Sequence, residues 1–323
     1  MLDQLSNGTA PFHAFLASGP REVAAHWVTA TDGVRLRAVH WNRSATRGTV
    51  LLFTGRTEYA EKYGRLSAGL GRLGYAVVTV DWRGQGLSDR VRSDRALGHV
   101  DKFTDYQLDV AAMVAHARDL SLPQPWFMLA HSMGGAIGLR ALIQGLEVRA
   151  AVFSAPMWGI QMASALKPVA WSVSEMGRQL GLGHLLTPGQ EPFCYVTRCD
   201  FSDNTLTSDR ETFEWLRSQV TAEPDLALGG PSLHWLNEAL REMWRLMSAR
   251  LPPTPALVLL GTEEAIVDPA RIRRRVATWA RARLLTIPTA RHELLMETPA
   301  IQSRVLREIT AHFDEHGNPS AVP

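Results

Sequence analysis

Short apolar runs rich in β-branched residues alternate along this chain with longer stretches whose apolar positions recur every three or four residues. The short runs occupy residues 26–30, 34–41, 49–53, 76–80, 126–129, 150–153, 256–260 and 283–287. Several are apolar throughout rather than alternating, as strands covered on both faces are. The longer stretches, with helical periodicity, occupy 58–73, 103–120, 133–145, 269–279 and 299–313. The alternation predicts an α/β fold: a mostly parallel, eight-stranded sheet flanked by helices. Thr31-Asp32-Gly33 joins the first two runs as a hairpin turn, so the sheet is expected to open with an antiparallel pair.

The rhythm breaks between residues 156 and 247. No buried strand is predicted there, but Trp158, Met162, Trp171, Met176, Phe193, Tyr195, Phe213, Trp215, Trp235 and Trp244 crowd helical pieces separated by Gly and Pro. Leu251-Pro252-Pro253 then resets the chain and the strand rhythm resumes. The expected organisation is a core in two parts, 1–155 and 248–323, with 156–247 as a helical lid over the C-terminal edge of the sheet. Open α/β sheets bind ligands at that edge. Most of the lid's aromatics should be ordinary core; Trp158, Trp171, Met176 and Trp235 are the candidates for a substrate wall.

With 323 residues, 46% hydrophobic and 20% charged, the chain can bury a large core, and a net charge of +2 gives no general attraction to nucleic acid. The arginines at 271, 273, 274, 275, 281 and 283 read as a solvated helix face. Cys194 and Cys199 are too few for a disulfide framework and lack companions for a zinc site. The first fifteen residues have neither a basic start nor an apolar core, and no apolar run approaches the roughly 18 residues of a membrane span. A cytoplasmic protein is expected, at most peripheral at the inner face of a membrane.

The candidate chemistry starts at residues 126–136, an apolar run that ends in Ala130-His131-Ser132-Met133-Gly134 and turns directly into a helical stretch. A serine at a strand-to-helix turn between small residues is the pattern of a nucleophile elbow, with alanine here in the first small position. Such a serine needs a base, and the base an orienting acid, in the chain order serine, acid, histidine. His292 follows the last predicted strand and fits the base. Glu264, three residues after Gly261, is the favoured acid; Asp268 is the alternative, although before Pro269 it could simply cap a helix. Glu263 should face solvent. Asp81 precedes the serine and reads as scaffold, with Arg83 as a partner, and His131 as a packed core histidine. The backbone amides of Met133, after the serine, and of Arg56, in the loop after the third strand, are the expected oxyanion donors. A phosphate contact by the Arg56 side chain is the lesser reading of that residue.

The blocks TGRTEYAEKY (54–63), DWRGQGLSD (81–89), AHSMGGAIGLRAL (130–142), GTEEAIVDP (261–269) and ARHELLMET (290–298) together resemble the α/β-hydrolases of the monoacylglycerol lipase and bacterial lysophospholipase group. Residues 206–210 and 228–235 resemble the lid of the lysophospholipase branch. Thr54 stands where that family usually has histidine, Ala130 where it has glycine, and Glu264 where it often has aspartate. The resemblance implies a cofactor-free serine hydrolase that cleaves small single-chain lipid esters through an acyl-enzyme. A general carboxylesterase or small-peptide hydrolase is the enzymatic alternative, and a binding protein on a hydrolase scaffold the non-enzymatic one. Head group, chain length and oligomeric state are not specified.

Overall fold

The computed structural model describes residues 8–163 and 165–317. All eight expected strands are present: β1 (Val23–Thr29), β2 (Arg35–Trp41), β3 (Thr49–Phe53), β4 (Ala76–Val80), β5 (Trp126–His131), β6 (Ala151–Ser154), β7 (Ala256–Gly261) and β8 (Ala282–Ile287). They form one sheet in the order β1-β2-β4-β3-β5-β6-β7-β8. β1 and β2 pair antiparallel, β2 joins β4 antiparallel, and every later pairing is parallel. β3 to β7 are buried at every position, because helices cover both faces of a parallel sheet.

The helices are α1 (Ala14–Ala17), α2 (Gly64–Arg72), α3 (Tyr106–Asp119), α4 (Met133–Ile143), α5 (Leu166–Gln179), α6 (Tyr195–Arg198), α7 (Arg210–Ala222), α8 (Leu233–Ser248), α9 (Pro269–Ala277) and α10 (Pro299–Gly317). The stretch expected to be helical from residue 58 begins instead with a 3-10 turn over Ala60–Tyr63, and Glu58 and Tyr59 stay outside it. The reason is local: the Glu58 carboxylate turns back to accept the Gly55 amide, which holds the chain in a loop.

Between β6 and β7 the described residues add α5 to α8 and no strand of the sheet. α8 starts at Ser232, whose hydroxyl accepts the Trp235 amide at 3.0 Å as an N-cap. Its buried face, with Trp235, Ala239, Met243 and Leu246, joins the core that surrounds the sheet. α6 and α7 instead share a smaller cluster with Tyr59, built on Cys194, Val196, Phe213 and Leu216. The helices between β6 and β7 therefore pack in two separate places, α8 against the core around the sheet and α6 with α7 against Tyr59 in the loop after β3. Among the described residues no helix is long and apolar enough to cross a membrane.

The structure differs from the sequence expectation at two groups of charged residues. Asp81 pairs with Arg37, and Arg83 with Asp109 and Asp32, so Asp81 and Arg83 are scaffold without being partners. Arg275 is buried and donates to the carbonyls of Met247 and Ala249, so the arginine-rich helix is not solvated all round. Cys194 and Cys199 are both free thiols.

Candidate active site

Ser132 sits between β5 and α4 with φ +50° and ψ −117°, a backbone conformation that L-residues avoid and that functional turns hold under strain. The turn is compact because its neighbours are small. A Cβ on Gly134 would stand 2.2 Å from the Phe53 carbonyl oxygen. Alanine is tolerated at position 130 because the facing residue is Gly138, where an added Cβ would already lie 3.3 Å from the Ala130 methyl. The loss of a glycine on the strand is thus matched by a glycine on the helix.

Three of the expected residues converge on this turn. His292 Nε2 lies 2.9 Å from Ser132 Oγ, and His292 Nδ1 lies 2.8 Å from Glu264 Oε2. Glu264 also accepts the amides of Ile266 at 2.6 Å and Val267 at 3.0 Å through its other oxygen. Burial works to raise this carboxyl, but the imidazole and the two amides outweigh it and hold it below the ordinary glutamate range. An ionised acid in this position fixes Nδ1 as the protonated nitrogen and leaves Nε2 free to accept from serine. Asp268 is elsewhere. Its carboxylate caps α9 through the amides of Ala270 and Arg271 and pairs with Lys167 at 3.3 Å, so it is a helix cap and not a partner of His292. Glu263 is exposed, with Arg291 3.6 Å away.

The loop after β3 sets the amide of Arg56 apart from its neighbours. Gly55 N–H donates to Glu58 and Thr57 N–H donates to Gln85 Oε1 at 2.7 Å. Among the described residues no protein acceptor is found for the Arg56 or Met133 amide, the latter in the first turn of α4. Both amides are thus left without a protein acceptor, and that of Met133 follows Ser132 directly at the N-terminus of α4.

Behind the serine lies a buried charge cluster that the sequence reading did not single out. Lys62 bonds Glu58 and lies 2.7 Å from Glu293, and His131 approaches Glu293 at 3.4 Å while its Nδ1 meets the Ser154 carbonyl at 3.1 Å. Burial opposes the charge on His131, yet Glu293 and Glu58 raise its pKa above the usual value. Its ring centre is 4.9 Å from that of His292. The cluster ties the loop after β3 to the loop carrying His292. The i, i+4 spacing of Glu58 and Lys62, with Glu293 next to His292, was the available sequence signal.

Ser132 and His292 open onto a cavity of about 600 Å³, within the usual range for small-molecule sites. Of the four candidate wall residues only Trp235 lines it. Trp158 is fully buried beneath, its indole donating to the Gly135 carbonyl at 3.1 Å. Trp171 lies against Arg241, Trp244 and Arg245, outside the cavity, and Met176 is 59% exposed. The wall is made instead by Met157, Ile160, Val196, Leu216, Val220, Leu236 and Val267, together with Leu166, Val169 and Val173 on one side of α5. Arg56 also reaches the cavity, its Nη2 donating to the Gly229 carbonyl at 2.6 Å and its guanidinium stacked 5.1 Å from the Trp235 ring.

The family described as "Serine aminopeptidase, S33" (Hydrolase_4) matches residues 44–299. Lysophospholipase L2 of Escherichia coli strain K12 is 33% identical over 302 residues, covering 89% of this chain and 85% of that protein. Monoglyceride lipase of Saccharomyces cerevisiae is 24% identical over 310 residues, covering 90% and 94%. The crystal structure of a soluble variant of the Saccharomyces cerevisiae monoglyceride lipase, in complex with a substrate analog, superposes with a TM-score of 0.70 at 22% identity, covering 90% and 95%. At that identity the superposition speaks for the fold alone. With most of its length matched by the family and a relative above 30% aligned almost end to end, this chain belongs to the Hydrolase_4 family of α/β-hydrolases.

Proposed function

We propose that this protein hydrolyses carboxylic esters of lipids bearing a single acyl chain, lysophospholipids or monoacylglycerols, through an acyl-enzyme on Ser132. The observation that carries the reading is the Glu264–His292–Ser132 hydrogen-bond chain opening onto a largely apolar cavity. His292 takes the hydroxyl proton as Ser132 attacks the ester carbonyl, and the amides of Arg56 and Met133 receive the oxyanion. The proton passes to the leaving alcohol; water, activated by the same histidine, then releases the fatty acid. Each acyl methylene buried in the cavity contributes about 0.8 kcal/mol. Fatty-acid release from long-chain lysophosphatidylcholine or monoacylglycerol tests the reading, and activity confined to aminoacyl amides or acetate esters would sink it.

A peptidase acting at an amino terminus needs a free carboxylate in its cavity to receive the ammonium group. The acidic side chains lining this one, Glu58 and Glu293, already face Lys62 and His131. That pairing favours an uncharged acyl group over an amino-terminal residue.

Arg56 favours lysophospholipid over monoacylglycerol. Burial pushes its pKa down to about 10, no carboxylate pairs with it among the described residues, and its Nε is buried without a partner. With the backbone amide of this residue assigned to the oxyanion, its guanidinium, without a carboxylate partner and with Nε unbonded, is the group we assign to a phosphate in the head group. Hydrogen bonds to charged groups contribute about 1.5–3 kcal/mol, so Arg56→Met should lower kcat/KM on lysophosphatidylcholine about tenfold or more relative to a monoacylglycerol of equal chain length. The backbone amide is unchanged by the substitution. Equal losses on both lipids would assign the side chain to support of the loop.

Residues 156–247 act in this account as a cap, and α5 as the part that meets the lipid surface. Leu166, Val169 and Val173 line the cavity yet remain 55%, 52% and 38% exposed, a stripe spaced for one helix face. The double variant Leu166→Ser, Val169→Ser should lose turnover of long-chain substrate in vesicles while keeping turnover of a soluble acetate ester. A parallel loss on acetate would mean that the stripe supports the fold.

A further inference from the structure

Three histidines converge at the β1 edge of the sheet, where β1 and β2 lie four and three strands from β5 in the sheet order. His26 on β1 pairs with Ala38, and His40 on β2 pairs with Ala24, so the period of two puts both rings on one face. There the two rings stack with centres 5.5 Å apart. α3 packs over them and adds His116, 5.1 Å from the His26 ring and 6.3 Å from the His40 ring.

One ring nitrogen from each histidine lies within 4.8 Å of the other two. Among the described residues, His26 Nδ1, His40 Nδ1 and both nitrogens of His116 are buried with no protein hydrogen-bond partner. Leaving so many polar atoms unpaired costs free energy that plain packing of the rings does not return. Burial lowers all three histidines, His40 and His116 to about 4, so each is a neutral lone-pair donor at pH 7. Arg43 and Glu22 are the charged side chains that face the cluster, and Glu22 is held by the amide and hydroxyl of Ser44. His26 is only half-buried, which leaves a way in from solvent.

We propose that His26, His40 and His116 bind a divalent transition-metal ion of the zinc type, with water as the fourth ligand. Imidazole nitrogens suit zinc at about 2.0–2.1 Å, so small rotations of the rings bring the three nitrogens onto one ion. The ion clips the β1–β2 hairpin to α3, and its distance from Ser132 separates it from ester chemistry. The buried group of Glu58, His131 and Glu293 is unlike this one, because the Lys62 ammonium already sits among its carboxylates.

Titration of the untagged, chelator-treated protein with Co2+ is expected to show a saturable tetrahedral absorption band at one equivalent, and Zn2+ should raise the Tm. Both effects should vanish in His116→Gln and in His40→Gln. Retained ester hydrolysis without metal in either variant shows that it has folded. The proposal fails if wild type shows no one-equivalent band, or if either folded variant keeps it. It fails equally if the band is lost in His312→Gln and kept in His116→Gln, since His312, Glu315 and His316 on α10 form a separate cluster.

Discussion

Ser132→Ala is expected to reduce ester hydrolysis to background, a loss on the order of 10⁶-fold if the serine and histidine act as one unit. The hydroxyl bonds His292 and opens to the cavity, so its removal leaves no buried void and the fold should persist. The strained φ of +50° is unchanged by alanine, which carries the same Cβ. Activity on a soluble ester, read beside the circular dichroism and Tm of the variant, separates lost chemistry from lost structure. Substantial turnover in a folded Ser132→Ala protein would place the nucleophile elsewhere.

Glu264→Gln should lower kcat by about 10⁴, the cost of presenting the base in the wrong tautomer. An amide in place of the carboxylate can donate to His292 Nδ1, which leaves Nε2 protonated and unable to accept from Ser132. It also removes the negative charge that stabilises the imidazolium. Asp268→Asn is the matched control. Asparagine caps helices as well as aspartate does, so the loss should be confined to the half-exposed contact with Lys167, with activity nearly unchanged. Comparable losses in the two variants would contradict the assignment of Glu264 as the orienting acid.

The centre of the sheet could be read from the sequence because β3 to β7 are buried on both faces, so apolar runs such as Val50-Leu51-Leu52-Phe53 carry no ambiguity of face. The order of serine, acid and histidine was legible for a related reason: each lies in the loop or turn that follows a strand, Ser132 after β5, Glu264 after β7 and His292 after β8. The choice between Glu264 and Asp268 was harder, since both stand in the loop after β7. Aspartate before proline fits a helix start, and Asp268 indeed spends its carboxylate on the amides of α9.

The cavity wall was read least well. Aromatic identity marks a residue as apolar but says nothing of which neighbour it meets, and Trp158 went to the core while Trp171 went to the far side of α5. The spacing of Leu166, Val169 and Val173 held better information than the size of the side chains. The buried charge cluster escaped because its members come from three loops and elements far apart in the chain. Only the fold brings Lys62 to Glu293.

Both the nucleophile Ser132 and the largely apolar cavity it opens onto can be tested by the rate of covalent labelling with alkyl fluorophosphonates. Because the adduct does not turn over, peptide mass spectrometry can locate it. A single phosphonyl group on Ser132 is predicted, with a long-chain reagent labelling faster than its methyl counterpart and slowed by added lysophosphatidylcholine. A label on another residue, or equal labelling rates for long and short reagents, would contradict the account.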